Sequence, residues 1–138
     1  MNNSEVLTGS CLCGAVTYQV SGPYLRFVHC HCRRCRKATG TGHATNLLAS
    51  PDRFAWRSGE DLAVRYDLPT AVSFATTFCS RCGSPLPHAT RNGKAIVVPA
   101  GSLDEHPSLT PQTRIFWASR APWSCVDEMP RMDEYTPL

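Results

Sequence analysis

The chain has 138 residues, enough for one ordinary domain, and 42% of them are hydrophobic whereas 18% are charged. This balance excludes a disordered chain, and no apolar run is long enough to span a bilayer, so we expect no membrane partner. The net charge of +3 does not by itself indicate a nucleic-acid partner. Because residues 1–5 are not a basic segment followed by an apolar block, we predict one domain over residues 1–138 in the cytoplasm.

Short segments separated by Gly and Pro predict a mainly β domain without a long amphipathic helix. The predicted elements, in chain order, are a strand within residues 8–21, an apolar stretch over 24–29, a helical turn over 33–39 that Gly40 ends, strands over 43–49, 62–66 and 72–78, a buried run over 95–98 and a last strand over 113–118. In the strand over 72–78, Val72, Phe74, Thr76 and Phe78 share one face, and the strand delivers Cys79 at its end.

Seven of the eight cysteines fall in three tight groups, Cys11-x-Cys13, Cys30-x-Cys32-x-x-Cys35 and Cys79-x-x-Cys82. In a reducing cytoplasm this clustering indicates metal ligands rather than disulfides, and thiolates in these numbers favour zinc. Glycine follows a cysteine at Gly14 and at Gly83, where a positive φ would turn backbone N–H groups towards a metal-bound sulfur. We therefore predict two zinc ions.

The simplest division gives Cys11, Cys13, Cys79 and Cys82 a closed structural zinc site, which ties the N-terminal strand to the middle of the chain. The middle group of cysteines then keeps an ion of its own. The spacing leaves another division open, in which the middle group combines with Cys79 or Cys82.

The middle group is Cys30, Cys32 and Cys35, here called the cysteine trio. If Cys30 and Cys32 lie at a strand end, their thiols share one face, the neighbouring histidines point to the other, and a turn returns Cys35. Three ligands leave one position of a tetrahedral zinc open, which is typical of catalytic zinc. Because three thiolates make the site negative, we expect it to accept a substrate thiolate better than it generates hydroxide.

Four basic residues surround the trio, namely Arg33, Arg34, Arg36 and Lys37. Either they offset the charge of a bound thiolate and so bind the substrate, or they form a solvated face.

Other candidate residues have a structural alternative beside the functional one. His31 and His43 are candidate proton carriers, although a single histidine is more often structural. Cys125 either leans towards the open metal position or packs as a free thiol against Trp123. The three tryptophans either line a pocket or pack in the core.

Six segments carry a family resemblance: GSCLCGAV at 9–16, CHCRRCRK at 30–37, FAWRSG at 54–59, FCSRCG at 78–83, AGSLD at 100–104 and APW at 121–123. They resemble the glutathione-dependent formaldehyde-activating enzyme family, which includes centromere protein V-like domains and has the Mss4-like fold. The resemblance implies several small, bent antiparallel sheets with zinc sites and little helix. It also implies a structural zinc on the four-cysteine set, a catalytic-type zinc on the trio, and carbon–sulfur lyase activity that interconverts S-(hydroxymethyl)glutathione with glutathione and formaldehyde.

These observations predict a zinc-dependent carbon–sulfur lyase-like enzyme that acts on a small thiol adduct such as S-(hydroxymethyl)glutathione. In this hypothesis the substrate's sulfur or hydroxymethyl oxygen takes the open zinc position and His31 moves the proton. One alternative is a zinc-stabilised binding module whose basic residues hold an acidic partner or nucleic acid. Another is a redox sensor or zinc store at the trio.

Overall fold

A computed structural model describes residues 4–134, which contain eleven short strands, one α-helix and four 3₁₀ helices. In chain order the strands and the helix are β1 Val6–Ser10, β2 Thr17–Ser21, β3 Arg26–Cys30, α1 Arg33–Thr39, β4 Ala44–Ala49, β5 Phe54–Ser58, β6 Ala63–Asp67, β7 Ala75–Cys79, β8 Pro85–Leu86, β9 His88–Ala89, β10 Ile96–Pro99 and β11 Thr113–Ile115. The 3₁₀ helices are Pro51–Arg53, Glu60–Leu62, Ala100–Ser102 and Trp117–Ser119. None of the helices within residues 4–134 has the length and apolar composition needed to cross a membrane.

The strands form three small sheets with the orders β1-β2-β5, β11-β3-β4-β10-β9 and β6-β7-β8. Neighbouring strands are antiparallel, except that β11 pairs parallel with β3. The exception arises because residues 100–112 carry the chain across the fold before β11 begins. The prediction of a mainly β fold built from small antiparallel sheets with little helix is confirmed.

Two apolar clusters hold the sheets together. The larger one lies between the first sheet and the five-stranded sheet and contains the fully buried side chains of Tyr18, Val20, Leu47 and Val98. The smaller one contains Cys11, Val16, Cys79 and Leu86, so two of the predicted metal ligands are themselves core residues. Trp56 packs against both clusters, which confirms the core alternative for this tryptophan.

Strand β7 is shorter than the predicted strand over 72–78, and the face shared by Phe74 and Phe78 is not its buried one. Ala75, Thr77 and Cys79 are buried, whereas Phe78 is exposed. The physical reason is the position of Cys79, which must face inwards to reach the other cysteines of its group. The period of two then places Ala75 and Thr77 on the same side.

The last strand also differs from its predicted extent, 113–118. Strand β11 ends at Ile115 because Phe116 has a φ of 54° and starts the 3₁₀ helix Trp117–Ser119. A non-glycine residue in this left-handed region interrupts an extended strand.

Strand β1 approaches β2 closely at Gly9, which pairs with Tyr18 in the register. A Cβ atom at Gly9 would overlap the Tyr18 ring, whose hydroxyl is hydrogen-bonded to Ser102 at 2.6 Å. We therefore expect Gly9→Ala to lower the free energy of unfolding by about 1–3 kcal/mol, because it overpacks a filled core. Gly101→Ala is the matched control, since nothing lies within 4 Å of a Cβ there, and its effect should stay within about 0.5 kcal/mol. Urea denaturation of the metal-loaded protein measures both, and equal stability of the two variants would contradict this packing.

Candidate metal centre and adjoining cavity

The first cysteine group joins two distant parts of the chain. Cys11 and Cys13 follow β1, Cys79 ends β7, and Cys82 lies in the turn that follows. Their four sulfur atoms all lie within 4.8 Å of one another, with Sγ–Sγ distances of 3.5 Å from Cys11 to Cys13 and 3.9 Å from Cys13 to Cys79. A tetrahedral zinc with Zn–S bonds of about 2.3 Å requires sulfurs about 3.8 Å apart. The four-cysteine site therefore fits a zinc ion, and the division that combined the trio with Cys79 or Cys82 is wrong.

Backbone turns shape this site in the way that the Cys-Gly pairs predict. Gly14 and Gly83 have φ values of 78° and 77°, a conformation that side chains disfavour, which confirms the predicted positive φ. The Gly83 N–H donates to the Cys79 carbonyl at 2.7 Å. The Ser84 hydroxyl lies 3.2 Å from the Cys82 sulfur and, together with the Ser84 N–H, lowers the pKa of Cys82 to about 5. These hydrogen bonds favour the thiolate, which is the form that binds metal.

The trio is assembled from a strand end and a helix start. Cys30 is the last residue of β3, Cys32 is the N-cap of α1, and Cys35 lies in the first turn of the helix. The three sulfurs lie within 4.8 Å of one another. The predicted helical turn over 33–39, with its end at Gly40, is confirmed. Cys32 is not a strand residue, so Cys30 and Cys32 do not share a strand face as expected. Cys32 instead caps the N-terminus of α1.

Hydrogen bonds stabilise negative charge on the trio. The Cys35 N–H donates to the Cys32 sulfur at 3.3 Å, which is the cap of the helix. A hydrogen bond from the Cys35 thiol lowers the pKa of Cys30 to about 6, against the opposing effect of burial. The pKa of Cys35 is raised in turn by the same hydrogen bond and by burial. A metal ion replaces the shared proton of such a group, since it binds cysteines as thiolates.

Within residues 4–134, no histidine, aspartate, glutamate or further cysteine offers a ligand atom that joins either group within 4.8 Å. Cys125 is exposed, and its sulfur lies 3.5 Å from the Ser124 hydroxyl rather than beside the trio. The trio therefore supplies three protein ligands, and the leaning of Cys125 towards the open position is not observed.

Histidine rings from β3 and from the residues next to β3 and β4 stack on one another, an arrangement that sequence reasoning did not find. His29 stacks on His43 with ring centres 4.0 Å apart, and His31 lies 5.0 Å from His43 and 5.1 Å from Trp117. His31 has no exposed surface, and neither ring nitrogen has a hydrogen-bond partner within the described residues. Burial, followed by the charges of neighbouring basic groups, lowers the pKa of His31. Its predicted role as the catalytic proton carrier stays a prediction.

A cavity of about 280 Å³ adjoins the trio. Cys35, Ala38 and Thr39 of α1 form one wall, and residues in or next to β4, β7, β8, β9 and β10 form the others. Sequence reasoning missed this cavity, although the helical spacing of 35, 38 and 39 was a signal that these residues share a face. Among the residues that the structure describes, no Lys, Arg, Asp or Glu lines the cavity. Besides Cys35 its titratable residue is His88, whose pKa is lowered to about 4 by burial and then by the charge of Arg65.

The basic residues of α1 lie on other faces of the helix. Arg33, Arg34 and Lys37 are exposed and Arg36 is half-buried, and none of the four lines the cavity. Their predicted role in substrate binding stays a prediction, as does the alternative that they hold an acidic partner or nucleic acid. Trp117 and Trp123 do not line the cavity either.

Comparison with known proteins places the chain in a family. The sequence model of the glutathione-dependent formaldehyde-activating enzyme family matches residues 6–119. The chain belongs to this family. One curated family relative, named "Putative glutathione-dependent formaldehyde-activating enzyme" and found in Halomonas elongata, is 38% identical over 85 residues. That match covers 59% of this chain and 54% of the relative, so the chain spans about half the length of the curated relative.

One solved structure supports the fold assigned to this family member. A Rhodobacter sphaeroides protein of known crystal structure superposes with a TM-score of 0.62 at 23% identity, covering 78% of this chain and 98% of that one. At this identity the similarity concerns the fold alone.

The two metal sites should differ in their contribution to stability. The four-cysteine site joins residues 66 positions apart, whereas the trio joins residues of one local segment. We expect Cys79→Ser to lose one of two metal ions and to lower the Tm by at least about 10 °C. Cys35→Ser should lose the other ion with a smaller change in Tm, and Cys125→Ser, the matched control, should keep both. Elemental analysis and thermal denaturation measure this, and an equal loss of Tm in both ligand variants would contradict it.

His88 should make stability depend on pH. Its folded pKa of about 4 lies below the ordinary value of 6.5, so between these values the unfolded chain binds a proton that the folded chain does not. The contribution of His88 to the free energy of unfolding is therefore fully present above pH 6.5 and is lost as the pH falls towards 4. We expect the difference in unfolding free energy between wild type and His88→Gln to change across this window. His106→Gln, at an exposed position, is the control, and parallel curves for wild type and His88→Gln would exclude this effect.

Proposed function

We propose that this chain is a zinc-dependent enzyme of the carbon–sulfur lyase type, which interconverts a hydroxymethyl thiol adduct with the free thiol and formaldehyde. The observation that carries the proposal is the trio, three cysteine ligands without a fourth protein ligand in the described chain, beside a cavity that one of them lines. Membership of the glutathione-dependent formaldehyde-activating enzyme family and the name of the Halomonas relative support the same reaction. We also propose the cytoplasm as its location, because clusters of cysteines that bind metal as thiolates are typical of a reducing compartment.

The donor sets support zinc at both sites. All ligands are sulfur, and sulfur-only tetrahedral sets of this spacing favour zinc over hard cations such as magnesium. When bound at the trio, zinc supplies a Lewis-acidic centre with affinity for sulfur and one position free of protein ligands. At the four-cysteine site a zinc ion would contribute to stability alone, since Cys11, Cys13, Cys79 and Cys82 would provide all four of its ligands.

The reaction itself breaks the C–S bond, forms the π bond of the carbonyl group and moves one proton from oxygen to sulfur. In the adduct RS–CH₂–OH the hydroxyl loses its proton, the C–O bond becomes the carbonyl of formaldehyde, and the C–S bond breaks with its electron pair on sulfur. The sulfur then takes up a proton, so that RSH and CH₂O balance the adduct. The cavity beside Cys35 provides a place for the R group.

The test of catalysis is NMR exchange spectroscopy on mixtures of formaldehyde and a thiol. We expect the metal-loaded protein to speed exchange between thiol and adduct at least about tenfold over the spontaneous reaction. Cys35→Ser should abolish the acceleration, and the matched variant Cys125→Ser should retain it. Absence of acceleration by fully loaded protein, for neutral and acidic thiols alike, would refute the proposed function.

His31 is the proton carrier in this proposal, on the basis of its place between Cys30 and Cys32. His31→Gln keeps the size of the side chain and removes the base, so we expect a fall in exchange rate of about 10²-fold or more. Metal content and Tm distinguish this role from packing against Trp117, because a packing role lowers the Tm without a selective loss of rate. An unchanged rate in a variant that keeps both ions would assign the proton transfer to another group.

A further inference from the structure

The cavity beside Cys35 is chemically unlike a site for an acidic peptide. Its apolar surface comes from residues such as Phe74, Leu86 and Pro85, and its polar groups are neutral hydrogen-bonding side chains such as Asn46 and Thr76. Within residues 4–134, no Lys, Arg, Asp or Glu side chain lines it, and His88 is neutral at physiological pH. A carboxylate placed there would lose part of its hydration without gaining a cationic partner from the cavity lining, which is unfavourable.

The geometry of α1 explains why its basic residues do not serve the cavity. Cys35, Ala38 and Thr39 repeat at the three-to-four spacing of one helix face, and this face forms the cavity wall. Arg33 and Lys37 stand roughly opposite on a helix of about 3.6 residues per turn. A substituent that enters the cavity from Cys35 therefore moves away from these charges.

Two arginines near the cavity are already engaged within the protein: Arg65 pairs with Asp67 and donates to the Ala89 carbonyl, and Arg91 donates to the carbonyls of Leu68, Ala71 and Phe74. A second cavity of about 320 Å³ shares Pro85 and Pro99 with the first one and is otherwise lined by serine, glycine and leucine. The hydroxyls of its serines already make hydrogen bonds within the protein, for example Ser102 to the Pro99 carbonyl at 2.7 Å. A longer substituent that continued into this space would again meet neutral groups.

We propose that the thiol whose adduct this chain processes has a small, neutral and largely apolar substituent, bound in the cavity beside Cys35, rather than the two carboxylates of glutathione. This inference rests on the proposed function for its reaction, but it concerns the substrate class alone. The first cavity, at about 280 Å³, is at the lower end of the volumes of ligand pockets, which also favours a small substituent.

Binding measurements on the metal-loaded protein test the inference without relying on turnover. The probes are 3-mercaptopropionamide and 3-mercaptopropionate, which differ only in a neutral amide against a carboxylate, together with glutathione. We expect the amide to bind at least about tenfold more tightly than the carboxylate by NMR titration. Ala38→Lys places a cation at an exposed position of the cavity wall and should shift the preference towards the carboxylate by a similar factor. Ala38→Leu, which adds volume without charge, should weaken binding of all three probes.

The outcomes separate this inference from the proposed function. Preferred binding of the amide without accelerated exchange would refute the catalytic proposal and leave the cavity assignment standing. Accelerated exchange with tighter binding of glutathione or 3-mercaptopropionate would overturn the inference and leave the catalytic proposal standing. Weaker carboxylate binding in Arg33→Ala or Lys37→Ala would also overturn it, because it would assign the substrate to the basic face of α1.

Discussion

The structure depends on the convergence of four cysteine sulfurs from two hairpin-like turns. Cys11 and Cys79 are buried in the smaller core cluster, and their sulfurs belong to the same group within 4.8 Å. This convergence fixes the end of β1 against the end of β7, two strands of different sheets. In a fold made of three small sheets, none of which buries a large area alone, such a cross-link replaces part of the missing core.

The trio has the same ligand chemistry but a different mechanical role. Its three sulfurs come from one short segment, in which the end of β3 runs directly into the N-terminus of α1. The two ends of the metal-binding segment are therefore held by the five-stranded sheet and by the helix, and the metal is not needed to bring them together. Because the fold holds the trio in place without a metal, a metal bound there can keep one coordination position for a substrate. In the proposed function, the cavity that Cys35 lines receives the substituent of that substrate.

Local patterns predicted much of this from the sequence. The cysteine spacing, the glycines at positions 14 and 83 and the short helix that ends at Gly40 are set by residues near one another in the chain, and the structure has them. Which face of β7 points inwards depends on a contact that is distant in sequence. Cys79 must point towards Cys11, and Thr77 lies on the same face of the strand. The cavity and the stacked histidines could not be predicted from the sequence for the same reason. They bring together residues from strands that are neighbours only after the sheets have formed.

We infer that this family member holds one closed and one open thiolate metal site. Zinc K-edge X-ray absorption of the fully loaded protein counts the sulfur ligands directly. We expect an average of about 3.5 sulfurs per ion in the absence of thiol, since the sites contribute four and three cysteines. Adding a thiol should raise that average towards about four. An average of four sulfurs per ion before any thiol is added, or no change in this average after its addition, would contradict the presence of an open site.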